Sequence, residues 1–443
     1  MVQARSSPRF KVPYPVGEHR GIVRAQTRPT EVQMFDVLLS EQERAVRDEA
    51  RAFVRDAIDP QMLRDMDAER VEYPREYVQN LAKAKLLGLR FPKEYGGRGM
   101  SWTAELAALE EVGVLGTALG CAFSMPSIVG EALMRFGTEA QKQRYLVPIL
   151  RGEMISAEGL TEPRGGSDFF GAATTARRDG DHFILNGQKR FVVGAMGADV
   201  FLVYARTGDE KAKSHQAISA FLVERKMGVE VKHVYGLMGT RGGGTGRILM
   251  RDVRVPKENL VGELHGGYDV FNRMMVPERL TSAGGAIGMG RSVMEVATRY
   301  AHKRKAFGRY IRDFQAVSFR IAESVTRTDA ARALCYVAGR TVDAGLDGRR
   351  LVSEAKKVAT EAAWATVNDA MQIMGGIGYT DVFPVERMLR DVRLALIWTG
   401  TNEIMSLLVQ HEYAKELLAR PPTVRDVELD ATRADAVEEK VYE

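Results

Sequence analysis

Apolar residues return along this chain with two different periods, and the places where the period changes mark its organisation. From Ser40 to about Gly152 they recur every three or four positions, with Val46, Ala50, Phe53 and Ala57 on one face, so this region is expected to be helical. Ser40 and Glu43 stand at capping-box spacing and predict the start of its first helix. Pro60, Pro92, Gly96-Gly97 and Gly137 divide the helices that follow. At about Ile155 the apolar residues gather into short runs rich in β-branched and aromatic side chains: HFILNGQKRFVV, ADVFLVYAR, ISAFLVER and GRILMRDVRVP. Such runs predict strands, and Asn186-Gly187 reads as a tight hairpin turn. Helical periodicity returns from about Gly267 and continues to Leu418, in segments suited to a bundle.

The expected fold class is therefore α+β. An N-terminal arm (1–35) leads into an N-terminal α-helical domain (36–155). A middle β-domain (156–266) follows, an antiparallel barrel or sandwich, and then a C-terminal four-helix bundle (267–418) and a C-terminal tail (419–443).

The stretch VPERLTSAGGAIGMGRSVMEVATRYAHKRKAFG (276–308) reads as one helix that the chain is organised around. Leu280, Ala283, Ile287, Met294, Ala297 and Ala301 form a single stripe at helical spacing. Gly284, Gly285, Gly288 and Gly290 each cost roughly 1 kcal/mol of helix propensity relative to alanine. Such glycines imply close approach, to another helix or to a flat ligand. Glu278 sits above that small-residue face, and Arg304 and Lys305 close the far end. The plainer reading of the same pattern is a packed bundle helix that starts with a solvated glutamate.

Composition narrows the possibilities. With 443 residues, 45% hydrophobic and 27% charged, the chain has the make-up of an ordinary globular protein. No apolar run approaches the roughly 20 residues of a membrane span, so none is expected. The net charge of +5 is small and scattered, which gives no reason to expect a nucleic-acid partner but would suit an anionic small ligand. Cys121 and Cys335 are too few for a disulfide framework, and a reducing, cytoplasmic setting is expected. The seven histidines have neither HExxH nor Cys/His zinc spacing, so no metal is expected. The arm is arginine-rich, broken by four prolines and without a secretory core, and is expected to be disordered or surface-wrapping.

Three stretches carry candidate chemistry. TEPRGGSD (161–168) offers glycines for close backbone approach and the hydroxyls of Thr161 and Ser167. TRGGGTGR (240–247) lacks the GK[ST] ending of a phosphate-binding loop and reads as a hairpin loop. In QIMGGIGYTDVFPVERMLRDVRLALIWTGTNEIM (372–405), Gly375, Gly376 and Gly378 would break a helix where a ligand or another backbone comes close. A solvated helix face would account for Arg387, Arg390, Asp391 and Arg393. It would not account for the glycines, Trp398 and the GTNEI turn together.

TEPRGGSD, NGQK (186–189), RKAFG with FQAV (304–308 and 314–317) and GGIGY…PVERMLRD…GTNEI together resemble the motif set of the acyl-CoA dehydrogenase family, in its order, from about Ser40 to Leu418. The resemblance implies an FAD enzyme, a homotetramer or homodimer, that desaturates an acyl-CoA substrate and passes electrons to an electron-transfer flavoprotein. A carboxylate would remove the α-proton while the β-hydrogen leaves as hydride to the flavin. Thr161 and Ser167 match positions at the flavin and thioester, and Phe191 and Val193 match the pair after NGQK that borders the flavin. Arg304, Phe307 and Gln315 match residues that reach the FAD of a neighbouring subunit. Gln372 and Gly376 match contacts to its adenosine end, and Gly400, Thr401 and Glu403 the turn beside it, with Gly400 and Ser167 also on the substrate side.

The sequence departs from the commonest family pattern where the base is expected. Thr399 stands before the Gly400-Thr401 dipeptide and cannot act as a base. Glu278-Arg279 stands where the isovaleryl-CoA and long-chain class carries its carboxylate, so Glu278 is the expected base and Arg279 its orienting partner. A hydroxyl usual near the flavin is replaced by Val193, and a usual glycine by Arg164. Leu119 falls where a substrate-carboxylate arginine would mark a dicarboxylyl substrate. Two other readings stay open: the same scaffold with oxidase, monooxygenase or desulfinase-like flavin chemistry, and a non-catalytic assembly protein.

Overall fold

Among the described residues, seven α-helices precede the first strand: α1 (Glu41–Asp56), α2 (Pro60–Asp67), α3 (Arg75–Lys83), α4 (Trp102–Gly113), α5 (Thr117–Phe136) and the short α6 (Glu139–Gln141) and α7 (Val147–Leu150). The computed structural model describes residues 34–208, 214–419, 425 and 427. Nearly all of the arm and of the tail therefore lies outside the described residues. Helix α1 starts at the expected capping box: Ser40 Oγ accepts from the Glu43 amide at 3.3 Å, and Glu43 Oε2 accepts from the Ser40 amide at 2.8 Å. One expectation is corrected here. α5 is a 20-residue helix long and apolar enough to cross a bilayer, and 89% of its apolar window is buried inside the protein. Its burial is that of a core helix.

The strands are β1 (Ser156–Gly159), β2 (Thr175–Asp179), β3 (His182–Val192), β4 (Val200–Arg206), β5 (Ile218–Glu224), β6 (Glu230–Val234), β7 (Gly246–Pro256) and β8 (Leu260–Val261). They form one sheet in the order β6-β7-β3-β2-β4-β5-β8, with β1 beside β4. Pairing is antiparallel except for β1 with β4 and the single β2–β4 bridge, which are parallel. Along β4, Val200, Leu202 and Tyr204 enter one core while Phe201, Val203 and Ala205 enter another. Burial on both faces explains why this strand reads as a continuous apolar run. Asn186-Gly187 does not turn a hairpin. It lies inside β3, where the register with β7 shifts between Leu185 and Gly187. A Cβ on Gly187 would come within 2.4 Å of Thr174 Oγ1, so the glycine serves a bulge and a close approach.

The bundle consists of α8 (Gly267–Ala301), β-hairpin strands β9 (Lys305–Ala306) and β10 (Arg309–Tyr310), then α9 (Gln315–Asp343), α10 (Arg349–Met374), α11 (Val385–Ala395) and α12 (Asn402–Leu418). The central helix begins earlier than its sequence pattern suggests and contains Pro277. It also ends at Ala301, before Arg304 and Lys305. Phe307 at φ 52° and Gly308 at φ 77° make the tight turn that ends helical geometry there. The glycines of α8 divide between two uses. A Cβ on Gly288 would meet the Glu110 carbonyl of α4 at 2.2 Å, whereas one on Gly285 would meet nothing within 4 Å.

The charged run of α11 is not a solvated face. Asp391 is buried and accepts from the Thr117 amide at 2.9 Å and the Thr240 amide at 2.7 Å. Arg387 donates to the Leu115 carbonyl at 2.8 Å, and Arg390 to Asp67 at 2.8 Å. These contacts fasten the bundle to the N-terminal helices and to the β6–β7 loop, which brings all three blocks to the end of α8 that carries Glu278.

Candidate active site

A cavity of about 570 Å³ lies between one face of α8, the helices α4 and α5, β1 with the loop after it, and the turn ahead of α12. From α8 it receives Met275, Glu278, Ser282, Gly285, Ala286 and Met289, a stripe at helical spacing. The stripe legible in the sequence, from Leu280 to Ala301, packs into the protein core instead. The wall is mostly apolar, with Leu109, Met125, Ile128, Leu160 and Phe271 among its members.

Glu278 faces this cavity and not bulk water. Burial pushes its carboxyl well above the usual range, the charge and hydrogen bond of Glu158 add to the rise, and Arg279 opposes it. Arg279 is buried and donates through Nη1 to Ser353 Oγ at 3.2 Å. Burial, then the neighbouring Arg349, lower its pKa to about 10 against the attraction of Glu278. Arg279 therefore remains a cation at neutral pH.

Thr399, one residue before Gly400, is tied to α8: its hydroxyl lies 3.2 Å from Ser282 Oγ, one helical turn beyond Glu278. Its φ of 52° is a conformation that threonine rarely adopts, and Gly400 follows at 86°. The fully buried Lys356 secures this turn by donating to the Gly400 carbonyl at 2.9 Å and Asn402 Oδ1 at 2.8 Å. Burial first, and then Arg279, depress the Lys356 pKa to about 7. Thr401 caps α12 by accepting from the Ile404 amide at 3.4 Å.

Eight of the sequence-selected residues line the cavity: Thr161, Ser167, Phe191, Val193, Glu278, Arg279, Gly400 and Thr401. The Thr161 carbonyl accepts from the Arg190 amide at 2.7 Å, which joins the TEP loop to β3. Phe191 has φ 53° and a ring 4.9 Å from that of Tyr235. Arg304, Phe307, Gln315, Gln372, Gly376 and Glu403 are exposed and do not line it. Phe307 is 95% exposed at the tip of the β9–β10 hairpin, with its ring 6.1 Å from Phe314, next to Gln315 at the start of α9.

Sequence reasoning missed Glu158, Tyr204, Cys121 and Ser124. Glu158, Cys121 and Ser124 line the cavity, and Tyr204 lies against Glu158. One signal was available: Glu158 is the ionisable residue in a short strand of otherwise small residues just before the TEP motif. The donors suit a flat heteroaromatic ring. Trp398 Nε1 and Arg190 Nε are buried and have no hydrogen-bond partner among the described residues. Gly285 leaves its side of the cavity open, and Phe191 and Val193 add apolar surface.

A helical domain, a β-sheet domain and a helical bundle closing on a carboxylate-bearing apolar cavity define an enzyme that works on an apolar substrate. The acyl-CoA dehydrogenase N-terminal, middle and C-terminal domain models match residues 40–153, 157–253 and 265–413. The chain belongs to the acyl-CoA dehydrogenase family and is an oxidoreductase acting on CH–CH bonds. A 3-(aryl)acrylate reductase of Clostridium sporogenes is 36% identical, over 86% of this chain and 100% of that protein. A subunit of the caffeyl-CoA reductase-Etf complex of Acetobacterium woodii is also 36% identical, over 84% of this chain and 97% of its own length. Butyryl-CoA dehydrogenase of Megasphaera elsdenii superposes with a TM-score of 0.81 at 29% identity, covering 85% of this chain and 99% of that one.

Proposed function

We propose that the chain uses Glu278 as the base that removes the α-proton of an acyl-CoA thioester, in an α,β-dehydrogenation whose electrons pass to an electron-transfer flavoprotein. The observation that carries this reading is the position of Glu278. It is a carboxylate in a mostly apolar cavity, while the alternative position before Gly400-Thr401 holds a threonine already engaged with Ser282. A buried carboxylate is a stronger base than a solvated one, because desolvation raises its proton affinity toward that of the group it must deprotonate. Arg279, a buried cation adjoining it, opposes that rise and favours the charged form.

The hydride acceptor for the departing β-hydrogen is supplied by FAD when bound. Thr161, Ser167, Phe191, Val193 and Thr401 are the residues that would hold its ring system, and the Trp398 and Arg190 donors are free to meet its acceptors. Arg304, Phe307, Gln315, Gln372 and Gly376 would act away from this cavity, and their exposure supports the reading that they serve FAD across a homotetramer or homodimer contact. The Etf complex to which one relative belongs supports the choice of electron partner. Two unpaired cysteines suit a cytoplasmic setting.

Anaerobic titration of the flavin-loaded enzyme with straight, branched and cyclic acyl-CoAs tests the reading. Bleaching at turnover rate by one class supports dehydrogenation and identifies the substrate type. No bleaching by any, with rapid oxygen use by the chemically reduced enzyme, would favour oxidase or monooxygenase chemistry. The two relatives named as reductases favour a second direction, in which Glu278 returns the α-proton to a 2-enoyl thioester. Reoxidation of the reduced enzyme by an aryl-substituted 2-enoyl thioester, faster than oxidised enzyme is bleached by the saturated one, would favour it.

A further inference from the structure

Helix α10 contributes no residue to the lining of the cavity, yet three of its polar side chains hold parts of the wall from behind. Ser353, Lys356 and Thr360 recur at helical spacing on one face, and all three are completely buried. Ser353 Oγ accepts from Arg279 at 3.2 Å, and Lys356 donates to the Gly400 carbonyl at 2.9 Å and to Asn402 Oδ1 at 2.8 Å. Thr360 Oγ1 accepts from Asn402 Nδ2 at 3.1 Å and completes the row. Burying a lysine is costly, and the turn that this one holds has an unusual backbone. Thr399 and Gly400 stand in the left-handed region, and the amides of Thr399, Gly400 and Thr401 donate to no backbone carbonyl among the described residues. All three residues line the cavity. Successive free amides in a turn make a concavity that suits an anionic oxygen. A peptide unit is planar and trans, so its carbonyl and its amide point opposite ways. With the Gly400 carbonyl drawn back to Lys356, the Thr401 amide of the same peptide is turned forward, away from α10.

We propose that Lys356 is a positioning residue for removal of the α-proton: it holds the Gly400 carbonyl out of the cavity, so that the free amides of the Thr399–Thr401 turn face the thioester oxygen. The proposal rests on the reading of Glu278 as the base. As the α C–H bond breaks, its proton passes to Glu278 and its electron pair delocalises onto that oxygen. Donors already in place stabilise the charge as it forms. The turn is close enough to serve, since Thr399 meets Ser282, one helical turn from Glu278, at 3.2 Å. Without Lys356 the peptide could rotate, because glycine tolerates either orientation. A carbonyl turned into the cavity would repel the same charge. Lys356 acts here as a donor and not through its charge: a neutral amine keeps two N–H groups, enough for both bonds.

The test compares flavin-loaded wild type, Lys356→Met and Thr360→Val. Two quantities are read: exchange of the α-proton of a saturated acyl-CoA with deuterated solvent, and the infrared stretch of its bound, isotope-labelled thioester carbonyl. In wild type the stretch should lie below its value in solution, because the amides polarise the bond. Lys356→Met should return it toward the solution value and slow exchange at saturating acyl-CoA by about 10²–10³-fold, the loss typical of one such donor. The half-saturating concentration should change far less, since the donors act on charge that the ground state lacks. Thr360→Val removes a buried hydrogen bond from the same row but leaves Lys356 on Gly400, so it should lower the melting temperature and move neither quantity. A wild-type stretch and exchange rate in Lys356→Met would overturn the proposal, as would equal losses in Thr360→Val. If Lys356→Met does not fold, Lys356→Gln, a donor on a shorter chain, takes its place: a smaller shift in the same direction is expected, and an unmoved stretch overturns the proposal. Failure of the base assignment reads differently, as undiminished exchange in Glu278→Gln, and leaves the carbonyl shift untouched.

Discussion

Lys189 is completely buried, and the chemistry of the TEP loop depends on what it holds. Its ammonium pairs with Glu162, whose oxygens also accept from the amides of Ala173 at 2.6 Å and Thr174 at 3.0 Å. Lys189→Met would leave the Glu162 charge buried without its cation, at a cost of about 3–5 kcal/mol. A lower denaturant midpoint with unchanged slope would register that loss, and an unchanged midpoint would contradict it. At this scale the sequence was legible where residues sit in a motif. Glu278 and Thr399 could be weighed against each other from their neighbours in the chain. Glu158 could not, because a single acid in a strand ordinarily reads as a solvent-facing position. Its meeting with Glu278 joins β1 to α8 across more than a hundred residues.

Among the elements, α8 places both the core stripe and the cavity stripe, and its glycines separate the two. Gly288→Ala would drive a Cβ into the Glu110 carbonyl and to 3.0 Å from the Gly113 Cα, backbone atoms that cannot swing aside. A destabilisation of about 1–3 kcal/mol follows, read as a fall in melting temperature. Gly285→Ala, with nothing within 4 Å, should keep full stability but narrow the cavity and weaken substrate binding. Equal melting temperatures for the two variants would refute this division. Periodicity identified helices and strands well, since it reports which face is buried. It misread Asn186-Gly187, where a long strand continues through a bulge, because the turn chemistry of that dipeptide is local and the register with β7 is not. It also ran the central helix on to Gly308, since nothing in the apolar spacing announces the positive φ of Phe307.

For the whole molecule, the order of helical, sheet and helical blocks was legible, and the contacts that assemble them were not. Asp391, in what looked like a surface charge run, bonds amides 274 and 151 residues away in the chain. Glu131 plays a similar part, linking α5 to Arg90 at 2.7 Å and to Arg273 of α8 at 2.7 Å. Burial alone would raise its pKa, but the charges of Arg90 and Arg273 outweigh this and bring it from 4.5 to about 2. A carboxylate held lower in the folded than in the unfolded chain stabilises the fold above its unfolded pKa, and that contribution fades as pH falls through the folded one. The network should therefore contribute about 3 kcal/mol at neutral pH and lose it between pH 4.5 and about 2. Urea unfolding across that window should show a steeper loss in wild type than in Glu131→Gln. Parallel curves would contradict the assignment.

The proposed dehydrogenation depends most directly on Glu278 as the base. Flavin-loaded wild type and Glu278→Gln should be compared for anaerobic bleaching by the acyl-CoA that the wild type uses. Glu278→Gln is isosteric and should retain its flavin and its fold, with bleaching slowed by about 10²–10⁴-fold. Bleaching of Glu278→Gln at close to the wild-type rate would show that the α-proton goes elsewhere and that the buried carboxylate of α8 is structural.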